Sequence, residues 1–231
     1  MLAQLQIHER AGEQSCVADN GFCPSWIADN LDRYWTPFLQ HVELSVLAVL
    51  FGFAIAFALA LIARRRRWLV GPIVGITGVL YTLPSIAVFF LLQPITGRGA
   101  VTALIALTAY TLLILFRNIV TGLDNVPEET RDAARGMGYT QRQLLWRVEL
   151  PLALPEIIAG LRIAATTTVG LATLAFFAGA GGLGGQIFAD ITFKSNVVVA
   201  GGLCMLLAVA FDLSLLGAQR VLLPWRRAVA R

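Results

Sequence analysis

The sequence predicts an all-α integral membrane protein of about five transmembrane helices. Three observations carry that prediction. The 231 residues are 57% hydrophobic and only 14% charged, against about 25% charged in an ordinary soluble domain, and mean hydropathy is +0.72. The apolar residues form charge-free runs, Leu44–Ala63, Trp68–Gly97, Gly99–Phe116 and Ile163–Ala189, each near or above the roughly 20 residues that cross a bilayer as a helix. The arginines collect at the ends of those runs rather than inside them. A water-soluble protein with a large apolar core is excluded, because so little polar surface cannot enclose it. Lipid offers backbone groups no partners, so the runs are expected as helices.

Spans are expected at about 44–63, 69–93, 100–118, 153–177 and 197–218. The second contains Pro72, Pro84 and Pro94. Proline removes a donor and crowds the preceding turn, which predicts a single tilted helix kinked near Pro84. Arg64–Arg67 follow the first span, Arg131, Arg135, Arg142 and Arg147 lie between the third and fourth, and Arg220, Arg226, Arg227 and Arg231 follow the fifth. Basic residues at span ends mark the cytoplasm, so the N-terminus is expected outside and the C-terminus inside. Residues 1–43 form an extracytoplasmic segment with an interfacial helix expected over Trp26–His41, residues 44–220 a membrane domain, and residues 221–231 a basic tail. No cleavable leader is expected, since the first residues lack a basic start and an apolar core.

The chemistry-bearing side chains are sparse. Cys16 and Cys23 fall on the outer side, where a disulfide is permitted but not required by the spacing. Cys204 reads as a small packing residue. His8 and His41 stand alone, and nothing has metal-ligand spacing. The single lysine, Lys194, follows no G-x4-G pattern, so a phosphate loop is missing. The glycine run Gly179–Gly185 reads as a loop or re-entrant turn near an outer gate, with Gly181, Gly182 and Gly184, and with Pro84, as candidate pathway or gate positions. Arg162 and Asp212 fall inside spans, where charge is rare; an ion pair between them is favoured over a pathway role because buried charges need partners.

One charged passage interrupts the apolar pattern. From Pro127 to Pro151 the chain reads PEETRDAARGMGYTQRQLLWRVELP. Pro127 suits a first helical turn, Glu128 and Glu129 suit a helix N-terminus, and Gly136 and Gly138 suit its end. Thr140 and Gln143 have capping-box spacing. Two short helices joined by a glycine turn are expected at the membrane face.

This passage resembles the E-A-A-x3-G-x9-I-x-L-P loop of ATP-binding-cassette importer permeases. Asp132-Ala133-Ala134, then Gly138, then Val148-Glu149-Leu150-Pro151 keep both gaps, with Asp132 in place of glutamate and Val148 in place of isoleucine. Thr82–Ser85, Arg117-Asn118, Glu149–Pro155, Gly160–Arg162 and Gly179–Gly184 look like the subgroup that imports glycine betaine, carnitine, choline and related osmoprotectants. The resemblance covers roughly residues 40–220. It implies the fold of a type I importer permease in a bacterial-type inner membrane. It implies Glu128, Asp132, Ala133, Ala134, Gly138, Leu150 and Pro151 as the loop that couples to a separate ATPase, where ATP and magnesium would bind, with no catalysis and no cofactor in this chain. It also implies a second permease chain, an extracytoplasmic substrate-binding protein and no nucleic acid. A permease for methionine or other amino acids shares this architecture. A self-sufficient channel or ion-coupled carrier is disfavoured by short length, the lack of an internal repeat and few intramembrane acids.

Overall fold

The computed structural model describes residues 16–223 and is helical, with no strand among those residues. In chain order the elements are α1 (Pro24–Asp29), a 3-10 turn (Leu31–Tyr34), α2 (Trp35–Arg65), α3 (Val70–Thr82) and α4 (Ser85–Thr96). These are followed by α5 (Ala100–Asp124), α6 (Glu128–Gly136), α7 (Gln141–Leu144), α8 (Leu150–Ala172), α9 (Leu183–Ala189) and α10 (Lys194–Leu222). The N-terminal tail with His8 and the basic residues Arg226, Arg227 and Arg231 lie outside the described residues.

α5 is the central helix and packs against α2, α3, α4 and α8, while α10 packs on α8. Small residues let these backbones approach, as in other membrane bundles. Along α2, Ala48, Gly52, Ala56 and Ala60 recur every fourth residue and all are buried. A Cβ on Gly52 would run into Thr111, and one on Gly160 would lie 2.5 Å from the Asn118 Cβ. The buried side chains form one cluster around Ala60, Phe116, Ile119 and Ala153, a second toward the other end around Ala48, Phe89, Leu107 and Ala175, and a third around Tyr34, Leu183, Ala200 and Cys204. Outside them, Leu50, Ile76, Leu91, Ile95, Val101, Met205 and Leu213 are exposed. A continuous apolar exterior of that kind suits lipid rather than water.

α2, α5 and α10 are each long and apolar enough to cross a membrane, and α3 with α4 qualifies as a bent pair. α8, which carries Glu156 and Arg162, lies against α2, α5 and α10. The five expected segments are therefore all present as helices. Their details differ from expectation in three places. α3 and α4 are not one kinked helix but two helices bent by 99°. Leu83 is extended (φ −65°, ψ 137°) because the following proline disfavours helical geometry there, and its freed carbonyl accepts from the Tyr110 hydroxyl at 2.6 Å. The first long helix begins at Trp35, not near residue 44, so the expected interfacial helix over Trp26–His41 divides into α1, the 3-10 turn and the first turns of α2. The fourth span is entered through a π-helical stretch, Leu145–Glu149, that joins α7 to α8. Pro151 offers no amide to the turn before it, and widened turns of this kind occur where an α-helix is locally disrupted.

The two ends of the bundle differ. At one end a Cys16–Cys23 disulfide closes a small loop that docks on the start of α10. The Cys23 amide donates to Ser195 Oγ at 2.7 Å, Ser195 Oγ donates to the Gly21 carbonyl at 3.1 Å, and the Tyr34 hydroxyl donates to Asn196 Oδ1 at 2.7 Å. Gly179–Gly182 and α9 lie at the same end, where the Gly182 amide donates to Gln40 Oε1 at 3.1 Å. At the opposite end lie the end of α2, the end of α5, and α6 and α7.

Candidate functional site

α6 is built as its sequence suggests. Pro127 is the residue just before the helix rather than within it, and the amides of Thr130 and Arg131 bond its carbonyl. Arg131 Nη1 donates to Glu128 Oε2 at 2.8 Å, and Arg135 Nη1 donates to Glu128 Oε1 at 2.8 Å and to Asp132 Oδ1 at 2.7 Å. These pairs, Arg131 first and Arg135 next, hold the Glu128 carboxyl below the usual range. The helix closes on Gly138, whose φ of +85° is left-handed; the amides of Met137, Gly138 and Tyr139 return to the carbonyls of Ala133, Arg135 and Ala134. Thr140 and Gln143 then form a complete capping box at the start of α7.

The paired alanines do not share one environment. Ala133 is exposed and Ala134 is buried within the chain. Asp132 is exposed beside Ala133. Glu128, Glu129, Asp132 and Ala133 are therefore exposed along α6, while Ala134 is buried against the rest of the chain. Leu150 and Pro151 open α8 beneath it.

The sequence reading missed the group that joins this loop to the bundle. Glu149 was only an unspecified position in the loop pattern, yet its side chain is 4% exposed and central. Arg64 Nε, at the end of α2, donates to its Oε2 at 2.7 Å. Arg131 Nε lies 3.2 Å from its Oε1 as an ion pair, at an angle too poor for a hydrogen bond. Arg131 Nη2 also donates to the Leu123 carbonyl at the end of α5, at 2.6 Å. The carboxylate ties α2 and α6 to the entry of α8, and Arg131 carries the link on to the end of α5. Nearby, Arg67 Nη1 donates to Asp124 Oδ1 at 2.5 Å. A lone acid between apolar neighbours at a span entrance was the available signal, since a buried charge needs a partner.

Within the spans, Arg162 Nε and Nη2 donate to Asp212 Oδ1 and Oδ2 at 2.7 and 2.8 Å. This two-point contact, of the strong bidentate kind, joins α8 to α10. Pro84 stands at the 99° break. Gly181 and Gly182 both have positive φ, and the Gly182 position leaves room for the buried His41 ring, whose Nε2 lies 3.0 Å from the Val169 carbonyl. Gly184 sits in α9, where a Cβ would strike the Thr173 carbonyl. The structure does not bring the four gate candidates into one constellation: the glycines share the disulfide-bearing end, and Pro84 lies at the α3–α4 break.

Several aromatic rings among the described residues pack on one another. Phe176 lies tilted against Phe177 and Phe188, at centroid distances of 4.1 and 4.7 Å. Tyr81 meets Tyr110 edge-on at 6.1 Å. The Arg33 guanidinium lies 5.3 Å from the Trp26 ring. Among the described residues no group of three histidine, cysteine or acidic side chains could hold a metal.

A bent-helix membrane bundle with a capped charged loop at one end has the form of a transporter permease. The chain belongs to the family of binding-protein-dependent transport system inner membrane components, whose family model matches residues 35–227. It is 36% identical over 187 residues to a choline transport system permease protein of Bacillus subtilis, covering 80% of this chain and 86% of that one. It is 37% identical over 206 residues to an osmoprotectant import permease protein of Salmonella typhimurium, covering 86% and 96%. Its fold matches a chain of the inward-facing MetNI methionine ABC transporter with TM-score 0.68 at 22% identity, over 80% of this chain and 95% of that chain. It also matches an amino acid ABC transporter with TM-score 0.63 at 19% identity, over 83% and 96%. The disulfide loop and α1 precede the matched family region.

Proposed function

We propose that this chain is the membrane permease subunit of an ATP-driven importer of osmoprotectant quaternary amines such as glycine betaine, choline or carnitine. Glu128, Asp132 and Ala133 on α6 meet a separate ATPase, where ATP and magnesium bind. Gly138 sets the angle at which α6 is presented, and Ala134, Leu150 and Pro151 seat the loop. Two permease chains, either identical or homologous, face each other to form the path, and an extracytoplasmic binding protein delivers the solute.

The loop faces the cytoplasm and the disulfide end faces outward. Arginine at the ends of α2 and α5–α8 supports that orientation, and so does a disulfide at the other end. The observation that carries the coupling role is Glu149. With Arg131 it links the exposed α6 to α2, α5 and α8, so a displacement of α6 reaches the three together.

The substrate class rests on relatives that carry choline and osmoprotectant transport in their names. The methionine and amino-acid transporters among the structural neighbours support the architecture only, at 22% and 19% identity. The test is ATP-dependent uptake of labelled choline or glycine betaine in reconstituted vesicles, with unlabelled betaine, choline, carnitine, proline and methionine as competitors. Competition by the quaternary amines and not by methionine is expected; the reverse order overturns the substrate assignment.

A further inference from the structure

A cavity of about 580 Å³ opens where the end of α2 meets α7 and the π-helical entry to α8. Its lining is of two kinds. Leu61, Ile62, Leu145 and Trp146 supply its apolar lining, and Arg64, Arg65 and Arg142, with Gln141, its basic and polar lining. No acidic residue lines it. Arg65 and Arg142 are both exposed and have no ion partner among the described residues. Arg64 is held by Glu149, Arg67 by Asp124, and Arg135 by Glu128 and Asp132, while Arg66 and Arg147 also lack an ion partner among the described residues but lie outside the cleft. Two uncompensated guanidinium groups therefore face one cleft.

The position matches the chemistry. α2 ends at Arg65 and α8 begins at Leu150, so the cleft sits where the apolar part of the bundle gives way to charge. Trp68 and Trp146 are exposed at this level, 69% and 54%, as tryptophans are at a membrane–water boundary.

We propose that this cleft binds an anionic phospholipid of the adjoining leaflet. Arg65 and Arg142 hold the phosphate-bearing headgroup, and an acyl chain covers Leu61, Ile62, Leu145 and Trp146. The apolar wall favours a lipid over a free phosphate, which would leave that wall wet. The paired arginines and the lack of an acid favour a negatively charged headgroup over a zwitterionic one. Arg64 also lines the cleft while its Nε holds Glu149. A bound headgroup thus adds negative charge beside the residue that anchors the loop, and bilayer charge enters the network that fixes α6.

The test uses the full chain in nanodiscs and the fluorescence of Trp146. Discs of phosphatidylcholine receive equal small fractions of brominated phosphatidylglycerol or brominated phosphatidylcholine. The quenching that disappears in Trp146→Phe is the signal. It should be roughly threefold or more stronger with the anionic lipid. The preference should vanish in Arg65→Gln/Arg142→Gln and persist in Arg66→Gln/Arg147→Gln, which removes the same charge outside the cleft. Equal quenching by both lipids overturns the proposal, as does equal loss of preference in both variants, which would reflect general surface charge. Displacement by millimolar glycerol phosphate would assign the cleft to a soluble anion instead, and loss of quenching on adding an ATPase subunit would assign it to that protein; either result overturns the lipid site.

Discussion

Arg64 Nε reaches Glu149 Oε2 across 2.7 Å, and this contact fastens the last turn of the first long helix to the entrance of α8. Arg131, on α6, approaches the other carboxylate oxygen at 3.2 Å. The loop that carries the family's charged pattern is thereby part of the bundle rather than an appendage to it.

Removing the shared acid should loosen that junction. Glu149→Gln leaves Arg64 and Arg131 facing each other's charge with no carboxylate between them. Breaking a buried pair costs about 3–5 kcal/mol; these arginines are 23% and 17% exposed, so solvent screening reduces the figure to about 1–3 kcal/mol. Thermal unfolding in detergent should show a lower midpoint for Glu149→Gln, and Arg64→Met/Glu149→Leu should recover part of the loss. A double variant no more stable than the single one contradicts the shared-carboxylate account.

Gly138 isolates backbone strain from packing. It has φ +85°, and a Cβ there would meet nothing within 4 Å. Gly138→Ala should therefore cost only the left-handed penalty, about 1–2 kcal/mol, and Gly138→Asn less. Hydrogen exchange at the Met137–Tyr139 amides reads this directly. Equal exchange in the alanine, asparagine and parent proteins would mean that the turn does not depend on glycine.

Two glycines in α8 should respond in opposite directions. A Cβ on Gly160 lies 2.5 Å from the Asn118 Cβ, whereas one on Gly170 meets nothing within 4 Å. Gly160→Ala should force α5 and α8 apart at about 1–3 kcal/mol. Gly170→Ala should be neutral or stabilising by up to about 1 kcal/mol, from helix propensity. The thermal midpoints of the two variants check the contrast; the same shift in both would refute the close approach of α5 and α8.

Orientation has its own test. Ser25 and Gln141 are both exposed, at opposite ends of the bundle. In a background lacking native cysteines, a cysteine replacing Ser25 should react with an impermeant thiol reagent added outside intact cells. One replacing Gln141 should react only after the cytoplasm is opened. The opposite pattern reverses the topology.

The parts legible in the sequence were those governed by local rules. Run length gave α2, α5 and α10, though the run Ile163–Ala189 proved to hold the end of α8, a glycine loop and α9; Thr140 with Gln143 gave the start of α7, because a capping box closes within one turn. Gly138 was legible because a helix end needs a left-handed residue there. What escaped depends on partners distant in the chain. Pro84 announces a disruption, but a 99° bend rather than a kink goes with the Tyr110 hydroxyl that takes up the freed Leu83 carbonyl. Glu149 drew no reading beyond its place in the loop pattern, because its partner Arg64 is 85 positions away. Cys16 and Cys23 could pair on spacing alone, but the loop they close is held by Ser195 on the last helix. The alanine pair read as one contact surface, and helix rotation divides it: Ala134 turns inward and Ala133 outward.

That division supplies the measurement closest to the central claim. Ala133→Trp adds bulk at an exposed position of α6 and leaves the buried Ala134 seat intact, so the fold and membrane insertion should be retained. Solute uptake and ATP hydrolysis should be measured in the same reconstituted vesicles containing the ATPase. The coupling account predicts that uptake falls at least about tenfold, the scale of one lost interface contact, while hydrolysis continues without transport or the ATPase dissociates. Uptake at the parent rate with unchanged ATPase binding would mean that α6 is not the coupling surface.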